Sequence, residues 1–145
     1  MEYISHSAEE TYNWALSLGS QAKPGDIYRL SGGLGCGKTV FAKGFGAGLG
    51  VKAEITSPTF TLLNIYDAPG QKLPLYHFDV YRVAGPAGMD DTGYEEYFYG
   101  NGVCLIEWAE IINDIIPDTA VSVLIEKNLR LSDDYRKITY DRGTL

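Results

Sequence analysis

The chain has 145 residues, of which 45% are hydrophobic and 21% are charged, so its composition is that of one folded globular domain and excludes a disordered chain. Its 12 basic and 19 acidic side chains give a net charge of −7, which disfavours direct binding to a nucleic-acid backbone. No apolar run approaches the ~20 residues of a transmembrane helix and the first residues form no secretory signal, so we expect a cytoplasmic protein with Cys36 and Cys104 reduced.

Apolar and turn-forming residues alternate along the chain in a way that predicts strands and helices in succession. The first helix opens at Ser7 with Glu10 three residues later, which is the pattern of a capping box. Helices are predicted over 7–18, 38–49, 89–99 and 109–116, and strands over 26–31, 59–66, 73–81, 103–108, 121–126 and 137–141. This alternation predicts a single α/β domain over residues 1–145, with a central mixed or mostly parallel sheet flanked by helices.

A phosphate-binding loop is predicted between the strand at 26–31 and the helix at 38–49. Residues 32–39 read GGLGCGKT and fit the pattern G-x-x-x-x-G-K-[ST] in full, which predicts a P-loop NTPase-like domain. The glycines allow tight turns that direct backbone N–H groups at phosphates, and the helix adds the positive end of its dipole. Lys38 would place a positive charge near the β and γ phosphates, and the Thr39 hydroxyl would bind Mg²⁺. The predicted nucleotide-binding residues of this segment are Gly33, Leu34, Gly35, Cys36, Gly37, Lys38, Thr39 and Val40.

Cys36 lies inside this loop, and two interpretations of it are open. One is a small side chain that is tolerated at a variable position of the motif. The other is a thiol whose pKa is lowered by the N-terminus of the helix, so that alkylation would block nucleotide binding and bound Mg²⁺–ATP would protect the thiol.

Two carboxylates are candidates for the acidic group that holds Mg²⁺, or its bound water, in P-loop proteins. Asp79 ends the apolar segment 75–79, and Glu107 ends the apolar segment 103–107. Each could instead be a carboxylate at a solvated strand end, and each could act as a general base toward an attacking water. The sequence leaves the division of roles between them open.

Several further residues have both a structural and a functional interpretation. The segment 57–61 is either an ordinary β-rich loop or a loop that senses the γ-phosphate. Trp108 is either part of the core or a ring beside the nucleotide, whereas His77 is predicted to make one hydrogen bond and not to bind a metal. Because the sequence contains no N-K-x-D motif for reading guanine, adenine nucleotides are favoured.

Taken together, four segments resemble the TsaE (YjeE) family of small bacterial ATPases. They are 32–41, 56–62 with the sequence TSPTFTL, 76–82 with the sequence YHFDVYR, and 105–108 with the sequence LIEW. The phosphate loop alone is shared by many proteins, whereas the order and spacing of the other three segments are far more specific to this family.

The resemblance implies an ATPase that hydrolyses ATP weakly alone and acts with TsaB and TsaD, which transfer threonylcarbamoyl to the tRNA adenosine next to the anticodon. ATP or ADP and Mg²⁺ would be its cofactors, and it would reach tRNA only through these partners. The resemblance places Thr39 and Glu107 on Mg²⁺, and Asp79 near the γ-phosphate or the water of the metal. Lys38, Asp79 and Glu107 are then the expected catalytic residues.

The resemblance also implies contacts around the rest of the nucleotide. Thr59 and Thr61 would belong to a switch loop that senses the γ-phosphate. Ser7 would approach the adenine, and Arg136 would reach the nucleotide from the C-terminal region. The oligomeric state stays open.

Two other functions are compatible with a phosphate loop in a chain of this size. A small-molecule kinase would need an acceptor pocket and usually a lid rich in arginine, and the sequence contains no arginine-dense segment. A pure binding switch would use ATP to hold a docking surface, and its hydrolysis would be incidental.

Overall fold

The computed structural model describes residues 1–33, 35–58 and 61–142. Its strands are β1 (Glu2–Ser5), β2 (Ile27–Ser31), β3 (Leu63–Tyr66), β4 (Leu75–Asp79), β5 (Val103–Glu107), β6 (Val121–Lys127) and β7 (Arg136–Asp141). Its α-helices are α1 (Ala8–Ser20), α2 (Lys38–Gly48) and α3 (Tyr94–Phe98), and 3₁₀ helices cover Pro86–Met89 and Ala109–Ile115. Within these ranges, no helix is long and apolar enough to cross a membrane.

The strands form one mixed sheet in the order β1-β7-β6-β2-β5-β4-β3. The four central strands, β6, β2, β5 and β4, are joined by three parallel ladders, and three antiparallel ladders add β7, β1 and β3 at the edges. The predicted α/β class with a mixed sheet is therefore confirmed. Because parallel strands end at the same edge of a sheet, the register aligns Asp79 with Glu107 and Glu107 with Leu30, directly beside the loop that follows β2.

Helices α1 and α2 pack closely on one face of the sheet, and glycines form their contact. A Cβ atom on Gly44 would overlap the carbonyl oxygen of Tyr12, and one on Gly19 would overlap that of Phe45. The core on this face contains Phe41 and Phe45, both fully buried on α2. The glycines that weaken the predicted helix at 38–49 thus let the two backbones approach each other.

The opposite face of the sheet is covered by short helical segments. Its buried core includes Phe78, Met89, Phe98, Ile106 and Ile112. Residues 89–99 do not form the predicted continuous helix, because Gly93 adopts a left-handed conformation with φ of 70° between the 3₁₀ turn and α3. The helix predicted over 109–116 is a 3₁₀ segment with non-helical backbone at Ile112.

Two strands differ from the prediction at the sheet edges. The sequence pattern predicts no strand over 2–5, yet β1 pairs with β7 from Glu2↔Thr139 to Ser5↔Arg136. The strand predicted over 59–66 begins at Leu63, and the first two of those positions, Thr59 and Phe60, lie outside the described residues.

Candidate functional site

The loop between β2 and α2 has the backbone of a phosphate-binding loop. Gly35 and Gly37 have φ of 72° and 104°, in the left-handed region that favours glycine. In the described part of the chain, no side chain caps the N-terminus of α2 at Gly37, so its first N–H groups are open to a ligand. Leu34, predicted to contact phosphate, lies outside the described residues. This geometry is that of an anion site at a helix N-terminus.

Arg136 connects β7 to this loop. Its Nε atom donates a hydrogen bond to the Cys36 carbonyl oxygen at 2.8 Å. Its Nη1 atom donates to the carbonyl oxygens of Asp133 and Tyr135 at 2.8 and 2.7 Å. Arg136 therefore lies at the loop, and two of its three guanidinium nitrogens donate to backbone carbonyl groups.

The thiol of Cys36 is not activated. Cys36 is 3% exposed, and this burial raises the pKa of its thiol. The positive charges of Lys38 and Arg136 lower the pKa by a smaller amount. The interpretation of Cys36 as a thiol of lowered pKa is therefore wrong, because desolvation outweighs the nearby positive charges. A small side chain that fills space behind the loop fits the structure.

Lys38 is held between the loop and an aromatic ring. Its Nζ atom donates to the Gly32 carbonyl oxygen at 2.9 Å and lies 3.7 Å from the centroid of the Trp108 ring. Trp108 has φ of 62°, the only positive φ of a non-glycine residue in the described ranges. Its ring also lies 4.8 Å from that of Tyr81, between centroids. The turn after β5 thus directs Trp108 over the lysine of the phosphate loop.

Asp79 and Glu107 lie side by side at the ends of β4 and β5. Burial raises the pKa of the Asp79 carboxyl group, and the negative charge of Glu107 adds to this effect. Opposing this, the backbone N–H of Tyr81 donates to Asp79 Oδ1 at 3.0 Å and favours the charged form. Glu107 is 3% exposed and is 2.6 Å from His77, measured from Oε2 to Nε2. His77 makes the hydrogen bond predicted for it, and its partner is a candidate site residue.

A cleft of about 460 Å³ brings most of the predicted residues together. Its lining is Gly35, Gly37, Lys38, Thr39, Val40, Ser57, Asp79, Glu107, Trp108 and Arg136. Two other loop residues do not line the cleft: Gly33 is exposed to solvent, and Cys36 is buried behind the loop. Backbone amides, one lysine and two carboxylates around a single cleft can bind a polyphosphate together with a hard cation.

Two neighbouring cavities share walls with this cleft. Ser7 lines one of about 70 Å³ together with Gly37, Val40 and Arg136. Its hydroxyl also caps α1 by accepting the backbone N–H of Glu10 at 3.1 Å, as the capping-box pattern predicts. A second cavity of about 350 Å³ is lined by Thr61, Arg82 and other residues, and it shares Ser57 and Asp79 with the cleft. Ser7 and Thr61 therefore lie beside the cleft and not in it.

Lys127 was not identified from the sequence. It ends β6, and its Nζ atom lies 3.3 Å from the position that a Cβ on Gly35 would occupy. A signal could come only from topology, because β6 pairs with β2 and so brings its carboxyl end to the phosphate loop. This position adds a second lysine near the loop.

The donor atoms suit Mg²⁺ carried by a nucleotide. Thr39, Asp79 and Glu107 offer hard oxygen atoms to one cleft. Across residues 1–33, 35–58 and 61–142, no group of three or more His, Cys, Asp and Glu side chains could hold a metal ion. Mg²⁺ is commonly bound by one or two carboxylates plus substrate phosphates, so this set fits a metal that arrives with phosphate.

Comparison with known proteins agrees with this geometry. The family described as "Threonylcarbamoyl adenosine biosynthesis protein TsaE" matches residues 5–138. The chain belongs to the TsaE family. It is 46% identical over 140 residues to the TsaE of Bacillus subtilis (strain 168), covering 97% of this chain and 84% of the relative. It is 42% identical over 139 residues to the TsaE of Treponema pallidum (strain Nichols), covering 96% and 98%.

A solved structure shows the same fold. The crystal structure of Bacillus subtilis YdiB superposes on this TsaE-family chain with a TM-score of 0.80 at 40% sequence identity. The match covers 99% of this chain and 86% of YdiB. The family resemblance inferred from the four sequence segments is therefore confirmed, and so is the α/β fold expected from it.

Proposed function

We propose that this TsaE-family chain binds and slowly hydrolyses Mg²⁺–ATP in support of threonylcarbamoyl transfer to the tRNA adenosine next to the anticodon, acting with TsaB and TsaD homologues. The observation that carries the proposal is the convergence of Lys38, Thr39, Asp79 and Glu107 on one cleft at the N-terminus of α2. The names of the related proteins from Bacillus subtilis and Treponema pallidum assign them to tRNA threonylcarbamoyladenosine biosynthesis.

The phosphates would lie at the N-terminus of α2. Backbone N–H groups from Gly35 to Thr39 and the Lys38 ammonium group would bind the β and γ phosphates. The adenosine would extend toward the cavity between Ser7 and Arg136, which shares Gly37 and Val40 with the main wall of the site. ADP would occupy the same positions after hydrolysis.

The carboxylates of Asp79 and Glu107 would have different roles in hydrolysis. Thr39 and Glu107 would hold Mg²⁺, which supplies positive charge to the phosphate oxygens when it is bound. Asp79 keeps one oxygen on the Tyr81 amide and would use the other to orient the attacking water or a water of the metal shell. Lys38 and the loop amides would stabilise the charge that develops on the transferred phosphoryl group.

The arrangement of arginines supports slow turnover by the chain alone. Among the described residues that line the cleft, Arg136 is the one arginine, and its Nε and Nη1 atoms already donate to three backbone carbonyl groups. A cation that neutralises the γ-phosphate in the transition state is worth about 10³- to 10⁵-fold in related enzymes. A partner would then complete the site and raise the rate.

The charge of the chain supports an indirect route to tRNA. A net charge of −7 opposes binding to a phosphate backbone, so TsaB and TsaD homologues would provide the tRNA contact. Both cysteines are free thiols, which is compatible with the reducing cytoplasm in which we place this activity.

The test is ATP hydrolysis with Mg²⁺ by the purified chain, first alone and then with TsaB and TsaD homologues from the same organism. We expect slow turnover alone, a higher rate with both partners, and loss of both rates in Lys38→Ala. A rate that does not respond to the partners would contradict the assigned pathway, and unchanged turnover in Lys38→Ala would contradict the assigned site.

A further inference from the structure

We propose that His77 is a positioning residue that orients the Glu107 carboxylate toward bound Mg²⁺–nucleotide, an inference that rests on the function proposed above. The Nε2 atom of His77 lies 2.6 Å from Glu107 Oε2, and the two side chains are 0% and 4% exposed. A contact this short and this buried restricts how the carboxylate can rotate.

The sheet register brings the two residues together. Side chains alternate across a strand, so His77 and Asp79 project from the same face of β4. Asp79 is aligned with Glu107 on the neighbouring parallel strand, which places His77 diagonally behind the carboxylate. His77 therefore contacts Glu107 from the side away from the strand ends. Glu107 also forms part of the cleft wall.

The surroundings of the imidazole determine the direction of the hydrogen bond. The Nδ1 atom is buried and has no hydrogen-bond partner among the described residues. A carboxylate oxygen accepts hydrogen bonds, so an imidazole that carries its proton on Nε2 donates it to Oε2. The other carboxylate oxygen, Oε1, then remains for the ligand in the cleft.

Packing alone does not account for this pair. A buried polar pair pays a desolvation penalty, and well-packed apolar residues of similar volume are often equally stabilising. Hydrogen bonds to a ligating carboxylate, in contrast, hold it in the geometry that a metal requires, and loss of such a contact typically costs 10- to 100-fold in metal affinity or activity. The position of His77 matches that role.

Three substitutions distinguish a role of His77 in orienting the Glu107 carboxylate from a role in stabilising the fold. In His77→Gln the side-chain amide can reach Glu107 and donate a hydrogen bond as Nε2 does. In His77→Leu the donor is removed and much of the apolar volume is kept. In His77→Asn a donor remains, but the side chain is too short to reach Oε2, and this variant replaces the leucine one if the latter does not fold.

The experiment measures Mn²⁺ binding and nucleotide binding separately. Mn²⁺ serves as the probe in the presence of a non-hydrolysable ATP analogue, and free Mn²⁺ is followed by electron paramagnetic resonance. ATP binding in EDTA is measured by calorimetry, and thermal unfolding verifies that each variant is folded. We expect Mn²⁺ affinity to fall about 10- to 100-fold in His77→Leu and His77→Asn and to recover in His77→Gln, with metal-free ATP binding unchanged.

Two outcomes would overturn the inference. Equal Mn²⁺ affinity in the wild type and in the folded leucine or asparagine variant would show that His77 serves stability alone, and the proposed function would stand. Absence of nucleotide-dependent Mn²⁺ binding in the wild type would overturn the proposed function and the role of His77 together.

Discussion

The ammonium group of Lys38 lies 3.7 Å from the centroid of the Trp108 indole ring. Both residues line the cleft at the phosphate loop. A cation over the face of an indole ring is stabilised by the ring quadrupole. The Lys38 ammonium group is therefore stabilised both by the Trp108 ring and by its hydrogen bond to the Gly32 carbonyl oxygen. Phosphate oxygens would compete for the same ammonium group, which makes Trp108 a reporter of the phosphate site.

This relationship predicts a fluorescence signal for nucleotide binding. The chain has two tryptophans, so Trp14→Phe leaves Trp108 as the single tryptophan, which is excited selectively at wavelengths where tyrosine absorbs little. Addition of Mg²⁺–ATP is expected to change Trp108 emission as the ammonium group moves from the ring to phosphate. The measurement is a fluorescence titration, with Lys38→Ala in the same background as the control. Saturable ATP binding measured by calorimetry with constant Trp108 emission would contradict the prediction.

Lys38→Ala is expected to weaken ATP binding through loss of its charged hydrogen bonds to phosphate. Such hydrogen bonds contribute about 1.5 to 3 kcal/mol, which corresponds to about 10- to 150-fold in Kd. Lys43 lies on the same helix but is exposed and outside the cleft. Lys43→Ala therefore also removes one positive charge, but no contact with the phosphates. Calorimetry on both variants tests this, and equal affinities would refute the assigned phosphate site.

Glu107→Ala is expected to retain ATP binding and to lose most of the turnover, because the carboxylate is proposed to hold Mg²⁺ and the phosphate loop remains intact. Glu110→Ala is the matched control, since Glu110 is exposed and does not line the cleft. Both variants are assayed for ATP turnover and for support of tRNA modification with the two partners. Full modification by a Glu107→Ala protein without turnover would favour the binding-switch function over the ATPase.

The parts of the site that local sequence encodes were predictable, and the parts that depend on strand order were not. The phosphate loop is contiguous, so its spacing determines Lys38 and Thr39 without knowledge of the sheet. Asp79 and Glu107 were predicted because each ends an apolar strand, and parallel pairing brought both to one edge. Lys127 depends on the insertion of β6 beside β2, which no local pattern indicates.

Long-range pairing also explains the missing strand and the role of His77. Strand β1 is four residues long and pairs with β7 near the opposite end of the chain, so its stability comes from a partner about 130 residues away. His77 could be recognised as a residue with one hydrogen bond, but identifying Glu107 as the partner requires the β4–β5 register.

Gly44→Ala is expected to destabilise the fold by about 1 to 3 kcal/mol, because overpacking at a close contact forces backbone shifts. Its new methyl group would overlap the Tyr12 carbonyl oxygen at the contact between α1 and α2. Gly85→Ala is the control, since a Cβ there meets no described atom within 4 Å. Urea unfolding measures the stability of both variants. Equal midpoints would show that α1 and α2 can move apart with little loss in the free energy of unfolding.

Cys104 is expected to make the fold less stable at alkaline pH. The residue is fully buried, its Sγ donates to the Tyr97 carbonyl oxygen at 3.3 Å, and burial raises the pKa of its thiol to about 12. Above the ordinary thiol pKa of 9.0, the unfolded chain loses this proton while the folded chain keeps it. The unfolded state then binds fewer protons, so the free energy of unfolding falls with pH, by about 1.4 kcal/mol per pH unit from this group between pH 9 and 12.

Urea unfolding of the wild type and Cys104→Ala between pH 7 and 10, under reducing conditions, isolates this contribution. The alanine variant is expected to be less stable at pH 7 because a buried sulfur is removed, but to lose less stability as the pH rises. By pH 10 the gap between the two proteins should close by about 1.4 kcal/mol. Raised pKa values at Tyr28 and Cys36 act in both proteins and cancel in the difference. Parallel stability curves from pH 7 to 10 would mean that the folded protein releases the Cys104 proton as readily as the unfolded chain does.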